Sequence, residues 1–279
     1  MKELIGKTVS SVETSVGNKP GYITLEPSDP SGAATPSQHL RIPISALVDI
    51  GAVQHLLEEE GIVFLTGVTS EADLVAFAER FGTIYHHRDS DHTGVTYITK
   101  KSNVGSRGGY RAFSSSALAL HTDRSAAPSP PSLLLMACNQ SASSGGISTF
   151  ADGRSILLDI NKRDPSIAKL LVEAPSCIFK DTENTYVGPM FESMAENRLA
   201  LRFRYDSGGY FSSELSDKLP LILEALRRHT RQCLLEKGEG VLLNNRRWLH
   251  GRTAFTGSRV VWRVLAHRPS LDGFRISNP

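Results

Sequence analysis

Cysteine is scarce and poorly spaced for cross-linking. The 279 residues hold three, Cys138, Cys177 and Cys233. An odd number with wide gaps suggests neither a disulfide framework nor a paired-cysteine zinc site, and a reducing, cytoplasmic setting is expected. Long apolar runs are missing too. No stretch approaches the roughly 18 apolar residues of a membrane span. The opening residues, Met1 to Lys7, lack the apolar core of a secretory leader. Net charge is low at +2, which gives no strong pull towards nucleic acid or a membrane surface. There is no internal repeat.

What is present is ordinary in bulk and informative in order. The hydrophobic share is 40% and the charged share 22%, typical of a globular chain that folds as one large domain or two small ones; the reading adopted is one domain over residues 1–279. Residues 26–32 read as a turn. An amphipathic helix is expected at about 46–59, a buried strand at 61–65, and a helix opened by a capping box at Ser70–Asp73. From Thr83 the pattern turns to β. Strands are expected at 96–99, 133–138, 147–151, 201–206, 241–244 and 259–266. Short helices are expected from Arg154 and from Pro165, which suits a first helical position. One long helix is expected to run from Leu219 to Leu234. Residues 182–198 look irregular and are a candidate second flap. The Ser/Gly-rich stretch 102–117 reads as a linker or a mobile lid, since long loops in compact domains are often functional. Many short strands with a few covering helices give an α+β, mainly β fold, a sandwich or jelly-roll barrel.

The chemistry gathers at Leu120-His121-Thr122-Asp123. In an extended strand, positions two apart share a face, so His121 and Asp123 would stand side by side. That pair is two-thirds of the two-histidine, one-carboxylate set that holds non-haem iron and leaves open positions. Of nine histidines, His250 is the best third member: it follows an apolar strand in a polar stretch that would be hard to bury without purpose. His267 is a weaker rival. The other histidines sit in loop or helix contexts that suit surface or core roles. On the last strand, Arg259, Val261 and Arg263 share one face, and Trp262 with its valine neighbours the other. Two inward guanidiniums need anionic partners, which small-molecule carboxylates can supply if no protein carboxylate waits there; a pair of solvent-facing arginines on an edge strand is the plain alternative. The wider crowd of arginines between 246 and 268 reads either as anion handling or as a solvated basic patch.

In these residues the chain resembles the TauD/TfdA (clavaminate-synthase-like) family of Fe(II)/2-oxoglutarate dioxygenases, over about residues 42–268. The likeness rests on an ordered set: His121-Thr122-Asp123, the Gly145-Gly146 turn, His-Gly-Arg-Thr-x-Phe at His250–Phe255, and the arginine pair Arg259 and Arg263. The resemblance implies a double-stranded β-helix core. It implies that His121, Asp123 and His250 bind Fe(II). Arg259 would hold the distal carboxylate of 2-oxoglutarate, helped by Ser148 or its neighbour Thr149, with Ser148 preferred. Arg263 would lie near the co-substrate's other end or the substrate's acidic group. Together with O2, the co-substrate would be converted to succinate and CO2 while an unactivated C–H bond is hydroxylated. The aspartate ligand argues against halogenation.

The substrate is read less directly. Arg204 and Asp206, with Arg202, alternate near the position where amino-acid hydroxylases of this kind bind charged substrate ends; a structural ion pair is the plain alternative. The leading expectation is a small, polar, amino-acid-like substrate, free or carrier-linked, with no nucleic-acid or membrane partner. A sulfonate- or aryloxyacid-cleaving enzyme of the same family, a non-catalytic ligand-binding barrel and a zinc hydrolase remain as alternatives.

Overall fold

The computed structural model describes residues 41–44, 49–101 and 111–276. The turn at 26–32 and the rest of the first forty residues, the helix start at 46–48 and residues 102–110 of the Ser/Gly-rich stretch lie outside the described residues. In chain order the elements are β1 (Arg41–Pro43), α1 (Ile50–Glu59), β2 (Ile62–Thr66), α2 (Glu71–Glu79), β3 (Thr83–Ile84), β4 (Val95–Thr99), β5 (Leu118–His121), β6 (Leu133–Gln140), β7 (Ser144–Gly145) and β8 (Ser148–Asp152). They continue as α3 (Gly153–Arg163), α4 (Pro165–Glu173), β9 (Cys177–Lys180), β10 (Thr185–Gly188), β11 (Phe191–Met194), β12 (Arg198–Leu201), β13 (Gly209–Phe211) and α5 (Ser213–His229). The last are β14 (Thr230–Cys233), β15 (Gly240–Asn244), β16 (Trp248–Arg252), β17 (Phe255–Thr256), β18 (Val260–His267) and β19 (Phe274–Arg275).

Local chemistry sets the helix starts. The Asp49 carboxylate accepts the free N–H groups of Gly51 and Ala52 ahead of α1. Ser70 and Asp73 form the reciprocal capping box of α2. Asp164 caps α4, whose first position is Pro165.

Two sheets face each other. The larger runs β1-β2-β15-β6-β18-β3, with β4 also paired to β18. The smaller runs β14-β8-β16-β5. Phe64, Leu134, Val241, Val261 and Leu265 of the large sheet pack against Phe150 and Cys233 of the small one. Outside the large sheet, Val53, Leu57, Leu74 and Phe77 of α1 and α2 cover Leu135, Leu242, Trp262 and Val264. Outside the small sheet, Ile156, Ile160, Leu171, Ile222 and Leu226 of α3, α4 and α5 cover Ala151 and Leu249. The result is a double-stranded β-helix with helices on both outer faces, mainly β, as the alternation of the strands implies.

Three elements differ from the sequence reading. Residues 182–198 are not irregular: they contain β10 and β11 and a single 3-10 turn at Ala195–Asn197. Each strand has only four residues, and the small sheets they join recruit β13 and β19 from later in the chain, so no local pattern announces them. The strand expected at 201–206 ends at Leu201, and the chain beyond it is extended without strand pairing. The long helix stops at His229. Thr230–Cys233 instead form β14, edge-paired to Ala151–Ser148 of β8. Cys233 kept helical spacing because it too is buried, but in the core between the sheets.

Phe150 is 2% exposed and meets Phe64 edge-to-face across the sheets, with ring centroids 6.0 Å apart. Truncating it removes apolar contact and leaves a cavity. Phe150→Ala is expected to cost about 3–5 kcal/mol in urea-unfolding free energy. A loss under about 1 kcal/mol would mean that the two sheets do not depend on this contact.

Candidate metal centre and substrate cleft

The small sheet brings His121 and His250 together. They are directly opposed partners in the β5–β16 ladder, ahead of a register shift towards Arg252. Leu120 and Leu249 turn into the outer core beneath α3–α5, so alternation turns His121 and His250 the other way. Asp123 arrives differently from the simple strand argument, because β5 stops at His121. The chain is then pinned twice. Thr122 donates its N–H to the Phe203 carbonyl at 2.9 Å, and its hydroxyl accepts from the Phe203 N–H at 3.1 Å. The buried Asn245 side chain accepts from the Asp123 N–H at 2.8 Å and donates to the carbonyls of Asp123 (3.0 Å) and Pro131 (2.8 Å). One donor atom each from His121, Asp123 and His250 then lies within 4.8 Å of the others. His267, the weaker rival, packs edge-on against Tyr85 instead.

The protonation states suit metal binding. His121 Nδ1 lies 2.9 Å from the Ala119 carbonyl, which can only accept, so Nδ1 carries the proton. Its Nε2 faces Asp123 Oδ1 at 3.4 Å. Burial first, then the neighbouring His121, pushes the His250 imidazole down to about 3, so it is neutral at pH 7. Its Nε2 is 3.7 Å from the same carboxylate oxygen, and its Nδ1 is buried with no hydrogen-bond partner. Burial of Asp123 works against ionisation, but the Arg263 guanidinium and the two histidines outweigh it and hold the carboxyl well below the usual range.

Arg263 of β18 and Arg259, which immediately precedes that strand, lie on its inner side, with Val261 and Leu265 in the inter-sheet core between and beyond them. Arg263 donates to Asp123 Oδ2 at 2.9 Å. Arg259 is 8% exposed and makes no ion pair or hydrogen bond among the described residues. It lies against the Gly145-Gly146 turn, where a Cβ on Gly146, at φ +71°, would come within 3.1 Å of the Arg259 side chain. The glycine is therefore required for both its backbone conformation and its lack of bulk. Ser148 and Thr149 are both buried. Alternation puts Ser148 on the face of Phe150, which packs between the sheets, and Thr149 on the face of Ala151, which packs under the helices.

A cleft opens over His121 and Asp123, lined by Arg111, Thr182, Arg204, Tyr205, Asp206 and Arg263. Arg204 and Asp206 form a two-pronged ion pair at 2.7 Å on both prongs. Arg202 does not share their face. It is buried and donates to the carbonyls of Ser125, Ala127 and Pro128 and to Glu192. Arg246 and Arg247 likewise close internal pairs with Glu192 and Asp152. Much of the arginine crowd is thus structural. His87 was missed as a cleft residue. Its Nε2 lies 3.1 Å from the Thr96 hydroxyl and 3.3 Å from Arg263 Nη2. Only the β4–β18 register, which sets Thr96 opposite Arg263, brings it there, and that pairing spans much of the chain. Arg124 follows Asp123 at φ 56° and ties to Asp181 and Glu183, the kind of local backbone strain that clusters at functional sites.

Comparison with known proteins agrees with this geometry. The gamma-butyrobetaine dioxygenase of Pseudomonas sp. (strain AK-1) is 29% identical over 260 residues, spanning 80% of this chain and 63% of that relative. The match therefore reaches less than two thirds of that relative's length. Among solved structures, an asparagine oxygenase in complex with Fe(II), 2S,3S-3-hydroxyasparagine and succinate superposes with a TM-score of 0.65 at 15% identity, covering 82% of this chain and 84% of that one. The non-heme iron oxygenase OrfP, in complex with Fe, succinate and (3R,4R)-dihydroxy-L-Arg, gives 0.63 at 13% identity, covering 78% and 81%. At such identities these structures share the fold. The model of the taurine catabolism dioxygenase TauD, TfdA family matches residues 25–265, and the chain belongs to that family.

Proposed function

We propose that this chain is an Fe(II)/2-oxoglutarate-dependent oxygenase that hydroxylates an unactivated C–H bond of a small amino-acid-like molecule, releasing succinate and CO2. The observation that carries the reading is the convergence of His121, Asp123 and His250 within 4.8 Å, next to inward arginines. The donor set fits iron: two imidazole nitrogens and one ionised carboxylate, the set that leaves open positions on a non-haem iron. In this reading the whole chain works as one catalytic domain.

When bound, the iron activates O2 and 2-oxoglutarate supplies electrons for it by oxidative decarboxylation. The protein's own residues supply geometry. The Ala119 carbonyl fixes the His121 tautomer. Asn245 fixes the backbone that aims Asp123. Arg259, with help from Ser148 on the inward face of β8, takes the distal carboxylate of the co-substrate. Arg263 steadies Asp123 through Oδ2 and, from the cleft lining, would also take a second carboxylate, from the co-substrate or the substrate. The Arg204–Asp206 pair offers both signs of charge at the cleft wall, which suits a zwitterion. The named relatives bear on the substrate class: one acts on gamma-butyrobetaine by name, and two solved neighbours hold hydroxylated asparagine and arginine.

The first test is an anaerobic titration of the apo-protein with Fe(II) and then 2-oxoglutarate. The expected outcome is the visible charge-transfer absorption of the metal–2-oxo acid pair, absent in His250→Ala. Metal binding without that absorption sinks the co-substrate assignment. Arg259→Ala is expected to raise the KM for 2-oxoglutarate by about thirtyfold, the equivalent of about 2 kcal/mol for a charge-assisted contact, with Fe(II) affinity unchanged. A wild-type KM would remove Arg259 from the site. Asp206→Asn is expected to raise the KM for whichever amino acid drives succinate release by about tenfold and to leave that for 2-oxoglutarate alone. An unmoved amino-acid KM would reduce the Arg204–Asp206 pair to a structural clasp.

A further inference from the structure

Arg252 is the least explained cation near the site. It is 5% exposed, yet no described carboxylate neutralises it. Its Nη2 donates to the carbonyls of Ser114 (2.9 Å) and Ser116 (3.0 Å), and its Nη1 to that of Thr253 (3.1 Å). Carbonyls satisfy the N–H groups but leave the charge unbalanced. The guanidinium carbon lies 4.6 Å from the centre of the Phe255 ring, and that of Arg259 lies 5.9 Å from the same centre. Two buried, like-charged groups therefore share one aromatic ring, and neither has an acid among the described residues. Such an arrangement is costly when empty and is relieved by an anion.

We propose that Arg252 is a positioning residue for the co-substrate: a second, non-contacting positive charge that sets selectivity for a 2-oxo acid with an ionised distal carboxylate. It acts through its field and through Phe255, while Arg259 makes the contact. The same guanidinium anchors the chain next to Arg111. Ser114 and Ser116 accept from Arg252, and Ser115 accepts from the Phe255 N–H at 3.0 Å. Three consecutive carbonyls are thus fastened to the segment that follows His250, beginning three residues downstream of the cleft residue Arg111. This inference rests on the reading of 2-oxoglutarate as co-substrate.

The test compares 2-oxoglutarate with 2-oxoglutaramate, which has nearly the same shape but a neutral distal amide. Calorimetric binding to the Fe(II)-loaded protein under anaerobic conditions reads affinity without turnover. Wild type is expected to prefer 2-oxoglutarate. Arg252→Gln is expected to lose about tenfold in affinity for 2-oxoglutarate, with the amide within about twofold of wild type. Arg252→Lys, which keeps the charge but not the fork that holds Ser114 and Ser116, is expected to retain the preference. Parallel loss of both ligands in Arg252→Gln, or an unchanged preference, overturns the proposal. If Arg252→Gln does not fold, Arg252→Lys decides, and lost preference there overturns it as well. Failure of the underlying reading looks different: wild type itself would not distinguish acid from amide, and Arg259→Ala would change nothing.

Discussion

One buried amide holds the candidate site together. Asn245 is 0% exposed and spends both ends of its side chain on backbone: it accepts from the Asp123 N–H and donates to the Asp123 and Pro131 carbonyls. Its own N–H donates to the Ser132 carbonyl. The chain leaving β5 and the chain entering β6 are thereby fixed to the turn between β15 and β16. Without that tie, Asp123 would sit in an unpaired turn beyond the end of a four-residue edge strand. The carboxylate can face two imidazoles only because a third segment fixes the backbone that carries it, and every polar atom of the Asn245 side chain finds a partner.

Charge is handled in two distinct ways around this centre. Arg246, Arg247 and Arg202 are buried and matched by Glu192, Asp152 and backbone carbonyls, so they brace the outer sheets and the segment after Leu201. Arg252 and Arg259 are buried with no acid opposite them among the described residues, and Arg252 meets only backbone carbonyls. Arg263 is intermediate, since its partner is the carboxylate a metal would claim. Composition alone cannot separate these cases, because all six are arginines on or near buried strands. What separates them is whether an acid stands opposite, and that is a property of distant strand pairing.

The same division marks what was legible in the sequence. The His121–Asp123 spacing, the His250 context, the capping box at Ser70 and the two faces of the last strand all follow from local periodicity, which the chain must obey wherever it packs. Strands β10 and β11 were unreadable because they are short and paired with residues from elsewhere. The end of α5 was missed because a buried residue in a strand can keep helical spacing with the helix before it. His87 read as a loop histidine, and burial, then the charge of Arg263, pushes its imidazole down to about 4. Arg204 and Asp206 were read as one face of a strand; they meet in an unpaired segment, and Arg202 turns the opposite way.

The strand order of the small sheet has a wider consequence. Among the described residues β5 is its edge and no further strand covers His121; the cleft is walled instead by residues such as Arg111, Thr182 and Arg204. The proposed metal and co-substrate groups sit on or beside strands β5, β8, β16 and β18, whose inner faces carry the stability of the molecule. In the proposed reading, substrate choice and reaction chemistry are thus lodged in separable parts of the chain. Mutations that retune the loops leave the inter-sheet core untouched, so new specificities are open to drift and selection at little cost in folding.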